Sequence, residues 1–213
     1  MGTVIFDLDG TLADTSGDLI AAANACFRGL GAGDILDART DAGTALRGGR
    51  AMLRLGFDRI GQGTDEAEID VQYPILLAAY AEAIDVHSYM YDGAMDAVEA
   101  LKTSGFKVGI CTNKPEGLAE TLMQRLGVRD AFGSLIGADT LAVRKPDPEP
   151  LREAVRRAGG DPAQCVLIGD SDTDRNTAKN AGVPSILVTF GPGAGDMQAL
   201  EPDALLPHYD DLF

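Results

Sequence analysis

Cysteine and histidine are scarce in this chain of 213 residues, and their placement removes several chemistries at once. The three cysteines, Cys26, Cys111 and Cys165, stand far apart and form no CxxC pair. That excludes a structural zinc site of ordinary spacing and a disulfide scaffold, and it fits a reducing compartment. Cys111 and Cys165 lie inside apolar runs, where a thiol serves as a small buried hydrophobe. The two histidines, His87 and His208, are isolated, so a Ser-His-Asp or Cys-His triad has little support. Positive charge is also short: 18 Lys and Arg face 33 Asp and Glu, for a formal net charge of −15. Nucleic-acid backbones and anionic membrane surfaces repel such a chain, so neither is expected as a partner. Long apolar runs are missing as well. The longest uncharged one, around Tyr73 to Ala81, falls well short of the roughly 20 residues that span a bilayer. Asp7 and Asp9 fall within the first ten residues, which argues against a secretory leader. The expected location is the cytoplasm.

What is present fits a globular protein with a real core. Apolar residues make up 45% and charged residues 24%, which excludes disorder and collagen-like structure. The length suits one domain, or one domain carrying a smaller insertion. Thr3-Val4-Ile5-Phe6 predicts a strand that ends at Asp7 and the turn pair Asp9-Gly10. A helical block follows. Leu19, Ile20, Ala23, Phe27 and Leu30 recur at helical spacing, with Thr15-x-x-Asp18 as a capping box and Gly31 as the stop. Further helical patterns cover Ala45–Ile60, Glu66–Tyr73 and Ile75–Ile84. After Asp92 helices and strands alternate, with strands over Lys107–Cys111, Ser134–Ile136, Cys165–Ile168 and Ser185–Val188. Continuously apolar strands separated by helices imply a parallel sheet covered on both faces. The expected fold is therefore an α/β, doubly wound parallel sheet built from residues 1–13 and 93–213, with a helical insertion over 14–92.

Ligands of an open parallel sheet bind at the carboxyl ends of its strands, so the residues just after each strand carry the information. The first strand delivers Asp7 and Asp9, a second Thr112 and Asn113, and a later one Asp170 followed by Asp174. Lys145 stands ahead of the helix that precedes that later strand. Each has a bland alternative: Asp9-Gly10 as a turn, Thr112, Asn113 and Asp170 as caps, Lys145 as a solvated charge, Asp174 as a first-turn acid. Taken together, the bland readings require several independent coincidences.

Asp7-Leu8-Asp9-Gly10-Thr11-Leu12, Thr112, Lys145-Pro146 and Gly169-Asp170-Ser171-x-x-Asp174 resemble the four motifs of the haloacid dehalogenase superfamily of phosphatases. The helical block after the first motif is similar to that superfamily's α-helical cap. The text Thr112-Asn113-Lys114-Pro115 and the stretch from Ala138 to Leu151 most resemble bacterial phosphoglycolate phosphatases. The resemblance implies a phosphatase with Asp7 as nucleophile, which splits one hard displacement into two easier ones. Asp9, two residues on and projecting the same way along the strand, would be the acid and base. Carboxylates facing a phosphate repel it by about 4 kcal/mol per unit pair at 4 Å and an effective dielectric of 20. Cations must compensate, and oxygen ligands without histidine or thiolate select a hard ion such as Mg²⁺. The resemblance implies Asp7, the Asp9 carbonyl and Asp170 as its ligands, with Asp174 orienting a metal-bound water or Lys145. Lys145, Thr112 and the neighbouring Asn113 would bind the phosphoryl group.

The insertion is expected to choose the substrate. Arg47 and Arg50 form a glycine-flanked pair there, and a guanidinium fork suits a substrate carboxylate. Related caps commonly read Gly-x-Gly, and Arg47 replaces the first of those glycines. The expected partner is a small phosphorylated metabolite, 2-phosphoglycolate first among them, and the expected assembly is a monomer or homodimer. A phosphosugar mutase of the same superfamily and a catalytically silent binding module are the alternatives. A phosphonate-cleaving relative would need a cap lysine, and none lies between Asp14 and Asp92. Gly191 to Gly195 reads as a loop near the site's rim, and Arg152, Arg156 and Arg157 as one solvated helix face.

Overall fold

The computed structural model describes residues 2–61, 63, 66–193 and 195–212. The chain divides into two compact units, one of Met1–Asp14 with Met90–Phe213 and one of Thr15–Tyr89. The first opens with β1 (Thr3–Phe6), and the two-residue segments β2 (Ala13–Asp14) and β3 (Tyr89–Met90) bracket the second unit along the chain. The later strands are β4 (Lys107–Cys111), β5 (Leu135–Ile136), β6 (Cys165–Gly169), β7 (Ser185–Val188) and β8 (Ala204–Leu206). β1 and β4 to β8 form one six-stranded parallel sheet in the order β5-β4-β1-β6-β7-β8.

Every residue of β1 is buried, which explains its β-branched and aromatic text: a central parallel strand is covered on both faces. Ile5 packs with Cys111, Ile136, Leu151, Val155, Leu167 and Ala178 in one core cluster. Helices Ala94–Thr103, Glu116–Arg125, Glu149–Arg157 and Asp172–Ala181 connect the strands. The three cysteines are free and buried, and burial pushes the Cys111 thiol up to about 12, so it stays protonated and inert. Arg156 and Arg157 pair with Glu153, and Arg152 and Arg156 with Glu149, along an exposed helix face. Phe190, just before the glycine-rich loop, stacks edge-on against Tyr91. Ala194, within that loop, lies outside the described residues. Among the described residues no helix is long and apolar enough to cross a membrane.

The second unit is helical, with segments at Ser16–Gly29, Ala42–Ala45, Gly49–Arg59 and Glu66–Glu82. Three details differ from the sequence expectation. The run expected over Ala45–Ile60 is broken at Gly48, whose φ of 96° lies in the left-handed region that glycine tolerates and other residues resist. The stretches on either side of Pro74 are one helix, not two. Proline deletes one helical hydrogen bond, and the burial of Ile69, Gln72, Leu76 and Tyr80 continues across it. The capping box does not form: Thr15 makes no side-chain cap bond. Asp18 instead accepts hydrogen bonds from the backbone N–H groups of His87 and Ser88 and from the Ser88 hydroxyl, at 2.7–3.0 Å. A carboxylate 2% exposed thus ties the start of this unit to its end. Asp18→Ala leaves the buried Ser88 N–H and hydroxyl, and the His87 N–H, without this acceptor, and should lower stability by about 2–4 kcal/mol in denaturant titration. A loss under about 0.5 kcal/mol would remove the tie from the account.

Candidate active site

The sheet register brings three strand ends to one place. Phe6 pairs with Ile110 on one side and with Ile168 on the other, so the residues following β4 and β6 flank Asp7. The Asp7 N–H donates to the Ile168 carbonyl at 2.8 Å. The chain builds outward from β1 through β4 to β5, then returns to β6 on the other side and continues to β8. That reversal beside β1 is the switch point where open α/β sheets bind ligands.

Lys145 is the hub. Its Nζ lies 2.7 Å from Asp7 Oδ1 and 2.6 Å from Asp174 Oδ1. The second Asp174 oxygen accepts from the Ser171 hydroxyl at 2.6 Å and from the Asp170 N–H at 3.2 Å. This crowding accounts for Gly169: a Cβ there would stand 2.3 Å from the Asp174 carboxyl carbon. Asp170 Oδ1 accepts from the Thr11 hydroxyl at 3.1 Å, and Tyr209 pins the same loop by donating to the Thr11 carbonyl at 2.8 Å. Carboxylate oxygens of Asp7, Asp170 and Asp174 all lie within 4.8 Å of one another.

The other expected residues divide. Thr112 is buried, and its Oγ1 accepts from the Lys114 N–H at 3.1 Å, which leaves the hydroxyl proton to be donated. Asn113, expected to touch substrate, donates its amide to the Lys145 carbonyl at 3.0 Å. Asp9 Oδ1 pairs with Lys114 Nζ at 2.8 Å. In the helical unit Arg50 pairs with Asp70 at 2.7 Å and lies over the Tyr73 ring at 4.7 Å, so it has intramolecular partners already. Arg47 is exposed and makes no ion pair among the described residues.

Lys114, Thr11 and Tyr209 are among the residues of this constellation that carry no assigned role in the sequence reading. Lys114 lies past the end of β4, in the text Thr112-Asn113-Lys114-Pro115, and nothing in its neighbours points to Asp9. Thr11 stands in the first motif itself, but nothing in its neighbours points to Asp170. Tyr209 comes from a 3₁₀ turn near the end of the chain and gives no local signal.

Charge defines what this site can hold. Burial, opposed by Lys145 and reinforced by Asp174 and Asp9, raises the Asp7 carboxyl to about 6. Burial, then Asp7 and Asp174, hold Asp170 well above the usual carboxylate range. Burial alone would lower Lys145, but Asp174 and Asp7 outweigh it and the net shift is upward. Both members of the Lys145–Asp7 pair therefore move up. We take Lys145 as the firmly charged one, because it has two acidic neighbours and Asp7 has the costlier surroundings. Counted as formal charges, Asp7, Asp9, Asp170 and Asp174 outnumber Lys114 and Lys145 by two, and the raised Asp7 and Asp170 carboxyls reflect burial together with that deficit. An all-oxygen donor set with that deficit fits one hard divalent cation.

Comparison with known proteins gives the family. The family model of haloacid dehalogenase-like hydrolases matches residues 1–182. The phosphoglycolate phosphatase of Mesorhizobium japonicum is 38% identical over 212 residues, spanning 98% of this chain and 92% of that protein. That of Agrobacterium fabrum is 36% identical over 210 residues, spanning 98% and 89%. The crystal structure of a predicted phosphoglycolate phosphatase from Haemophilus somnus 129PT aligns with a TM-score of 0.86 at 23% identity, covering 99% of this chain and 96% of that one. At that identity the likeness is one of fold. The chain belongs to the haloacid dehalogenase-like hydrolase family. Its activity is that of a phosphatase.

Proposed function

We propose that the protein is a cytoplasmic, Mg²⁺-dependent phosphomonoester hydrolase that works through an aspartyl-phosphate, with 2-phosphoglycolate or a similar small anionic phosphate as substrate. The observation that carries this reading is Lys145 Nζ held between Asp7 and Asp174, with Asp9 two residues beyond Asp7.

In the first step an Asp7 carboxylate oxygen attacks phosphorus and the bond to the alkoxide oxygen breaks, while Asp9 gives that oxygen its proton. In the second, water attacks the phosphorus of the aspartyl-phosphate and Asp9 takes the water's proton. The bond to Asp7 then breaks, releasing inorganic phosphate and restoring both side chains. Lys145 and the Thr112 hydroxyl hold phosphoryl oxygens through both displacements, in positions fixed before substrate arrives. Asp7, Asp170 and the Asp9 carbonyl would hold Mg²⁺, with Asp174 supporting from behind through Lys145 and Ser171. When bound, the ion offsets the charge of a phosphate facing these carboxylates. Two separate lysines serve the two ends of the reaction: Lys145 at the nucleophile and Lys114 at the acid.

The test is a panel of phosphate esters assayed for inorganic phosphate, with 2-phosphoglycolate, a hexose phosphate and an aryl phosphate among them. The highest kcat/KM is expected for 2-phosphoglycolate. An isomeric sugar phosphate in place of free phosphate would overturn the hydrolase reading in favour of a mutase. Arg47, which makes no ion pair among the described residues, is the proposed ligand for the substrate carboxylate. Arg47→Ala should raise KM for phosphoglycolate by about tenfold and leave KM for a neutral-alcohol phosphate within about twofold. Equal effects on both substrates would transfer Arg47 from recognition to folding.

A further inference from the structure

The loop that carries Lys145 has an anchoring problem. Pro146, Pro148 and Pro150 follow the lysine in close succession, and proline has no N–H to donate. Within the loop, the Asp147 N–H donates to the Arg144 carbonyl at 2.9 Å and the Glu149 N–H to Asp147 Oδ1 at 2.8 Å. Two consecutive carbonyls, those of Lys145 and Pro146, are held from outside. Asn113 Nδ2 donates to the Lys145 carbonyl at 3.0 Å, and Asn180 Nδ2 to the Pro146 carbonyl at 2.9 Å.

The donors come from separate elements. Asn113 stands just past the end of β4, next to Thr112. Asn180 lies in the last turn of helix Asp172–Ala181, whose first turn carries Asp174. One helix therefore holds the Lys145 ammonium through Asp174 and the backbone of the residue after Lys145 through Asn180. A lysine stem of four carbons is flexible, so the position of Nζ depends on where its backbone is fixed. Nζ has to satisfy Asp7 and Asp174 together, at 2.7 and 2.6 Å. A shift of about 1 Å at the base of the stem would break one of those contacts, and displacements of that size are enough to slow a positioned reaction.

We infer that Asn113 and Asn180 are positioning residues, which act through Lys145 by clamping the proline-rich loop at the carbonyls of residues 145 and 146. The inference rests on the proposed role of Lys145. It assigns Asn113 a backbone partner in place of the substrate, and gives a function to Asn180, an exposed residue at the far end of the helix that begins beside Asp174.

The test uses the full chain with Mg²⁺ and p-nitrophenyl phosphate, comparing Asn113→Ala, Asn180→Ala, Asn180→Gln and Lys145→Ala. Each asparagine-to-alanine change should lower kcat by about three- to tenfold, with KM within about twofold and the melting temperature within about 2 °C. Asn180→Gln, which keeps an amide donor on an exposed helix end, should recover at least about half of the loss. Lys145→Ala should lower kcat by at least about 100-fold. A Lys145→Ala enzyme of normal kcat would overturn the reading of Lys145 itself. A crippled Lys145→Ala enzyme beside any other pattern in the asparagine variants would overturn the clamp alone. Such patterns include an unchanged kcat, a parallel rise in KM, a large drop in melting temperature, or no recovery with glutamine.

Discussion

Asp7→Asn is expected to lower turnover by at least about 10⁴-fold while leaving the fold intact. It should also raise the melting temperature of the metal-free protein at neutral pH. The first effect follows from chemistry, since an amide does not form the acyl-phosphate bond. The second follows from burial. Desolvation lifts the Asp7 carboxyl to about 6 against Lys145's opposing pull, so the folded protein holds this group's proton more tightly than the unfolded chain does. The stability that comes from this shift is complete below the unfolded value near 3.8 and is lost as pH rises through about 6. Above that pH the wild-type fold carries a poorly compensated buried anion, and asparagine removes it. Asparagine also relieves Asp170, whose elevation owes its second-largest part to Asp7. Lys145 keeps Asp174 as its partner. Melting curves in EDTA should therefore show wild type and variant together near pH 4 and separating toward pH 7.5, with the variant higher. A variant that is less stable across that range would mean that the Lys145–Asp7 bond stabilises the fold more than burial opposes it. Normal turnover would remove Asp7 as nucleophile.

The parts of this molecule that are legible in the sequence are those where one physical requirement writes itself into consecutive residues. A central parallel strand is buried on both faces, so Thr3–Phe6 and Lys107–Cys111 read as strands without any partner in view. Ala204–Leu206 does not read that way. It is a three-residue edge strand, exposed at one end and buried only at the other, and its identity comes from pairing with β7. Carboxylates placed just after strands are equally readable, because strand ends share an edge in this class of fold. Partner choice is not. Thr15-x-x-Asp18 has the text of a cap, yet a buried carboxylate bonds to the richest donor set in reach, and that set lies some 70 residues later. Arg47 and Arg50 look equivalent as text, but Asp70 and Tyr73 engage only the second. Lys114 shows the same limit at the site itself, since its ion pair spans from β4's end to the turn after β1.

Removal of the divalent ion should cut turnover by at least about 10³-fold, and Mg²⁺ added back to the EDTA-treated protein should restore it. The expectation rests on the uncompensated charge around Asp7, Asp170 and Asp174, whose oxygens crowd within 4.8 Å. A phosphate dianion entering that site without a cation meets repulsion of about 4 kcal/mol per unit pair at 4 Å, and Lys145 already serves two carboxylates. The same deficit gives a thermal readout that does not depend on catalysis. An ion that binds only the folded chain at about 100 times its dissociation constant contributes about 2.7 kcal/mol. For a chain of this length that corresponds to a rise in melting temperature of roughly 5–10 °C. Asp170→Asn separates the ion from the nucleophile. Asp7 and Lys145 are untouched by that change, and the Thr11 hydroxyl still finds an oxygen to donate to. The variant should nonetheless lose most of both the Mg²⁺-dependent thermal shift and the turnover. If its thermal shift persists while turnover falls, Asp170 acts on substrate rather than on the ion. If turnover in EDTA stays near the wild-type rate, the lysines suffice and the metal has no part in the chemistry.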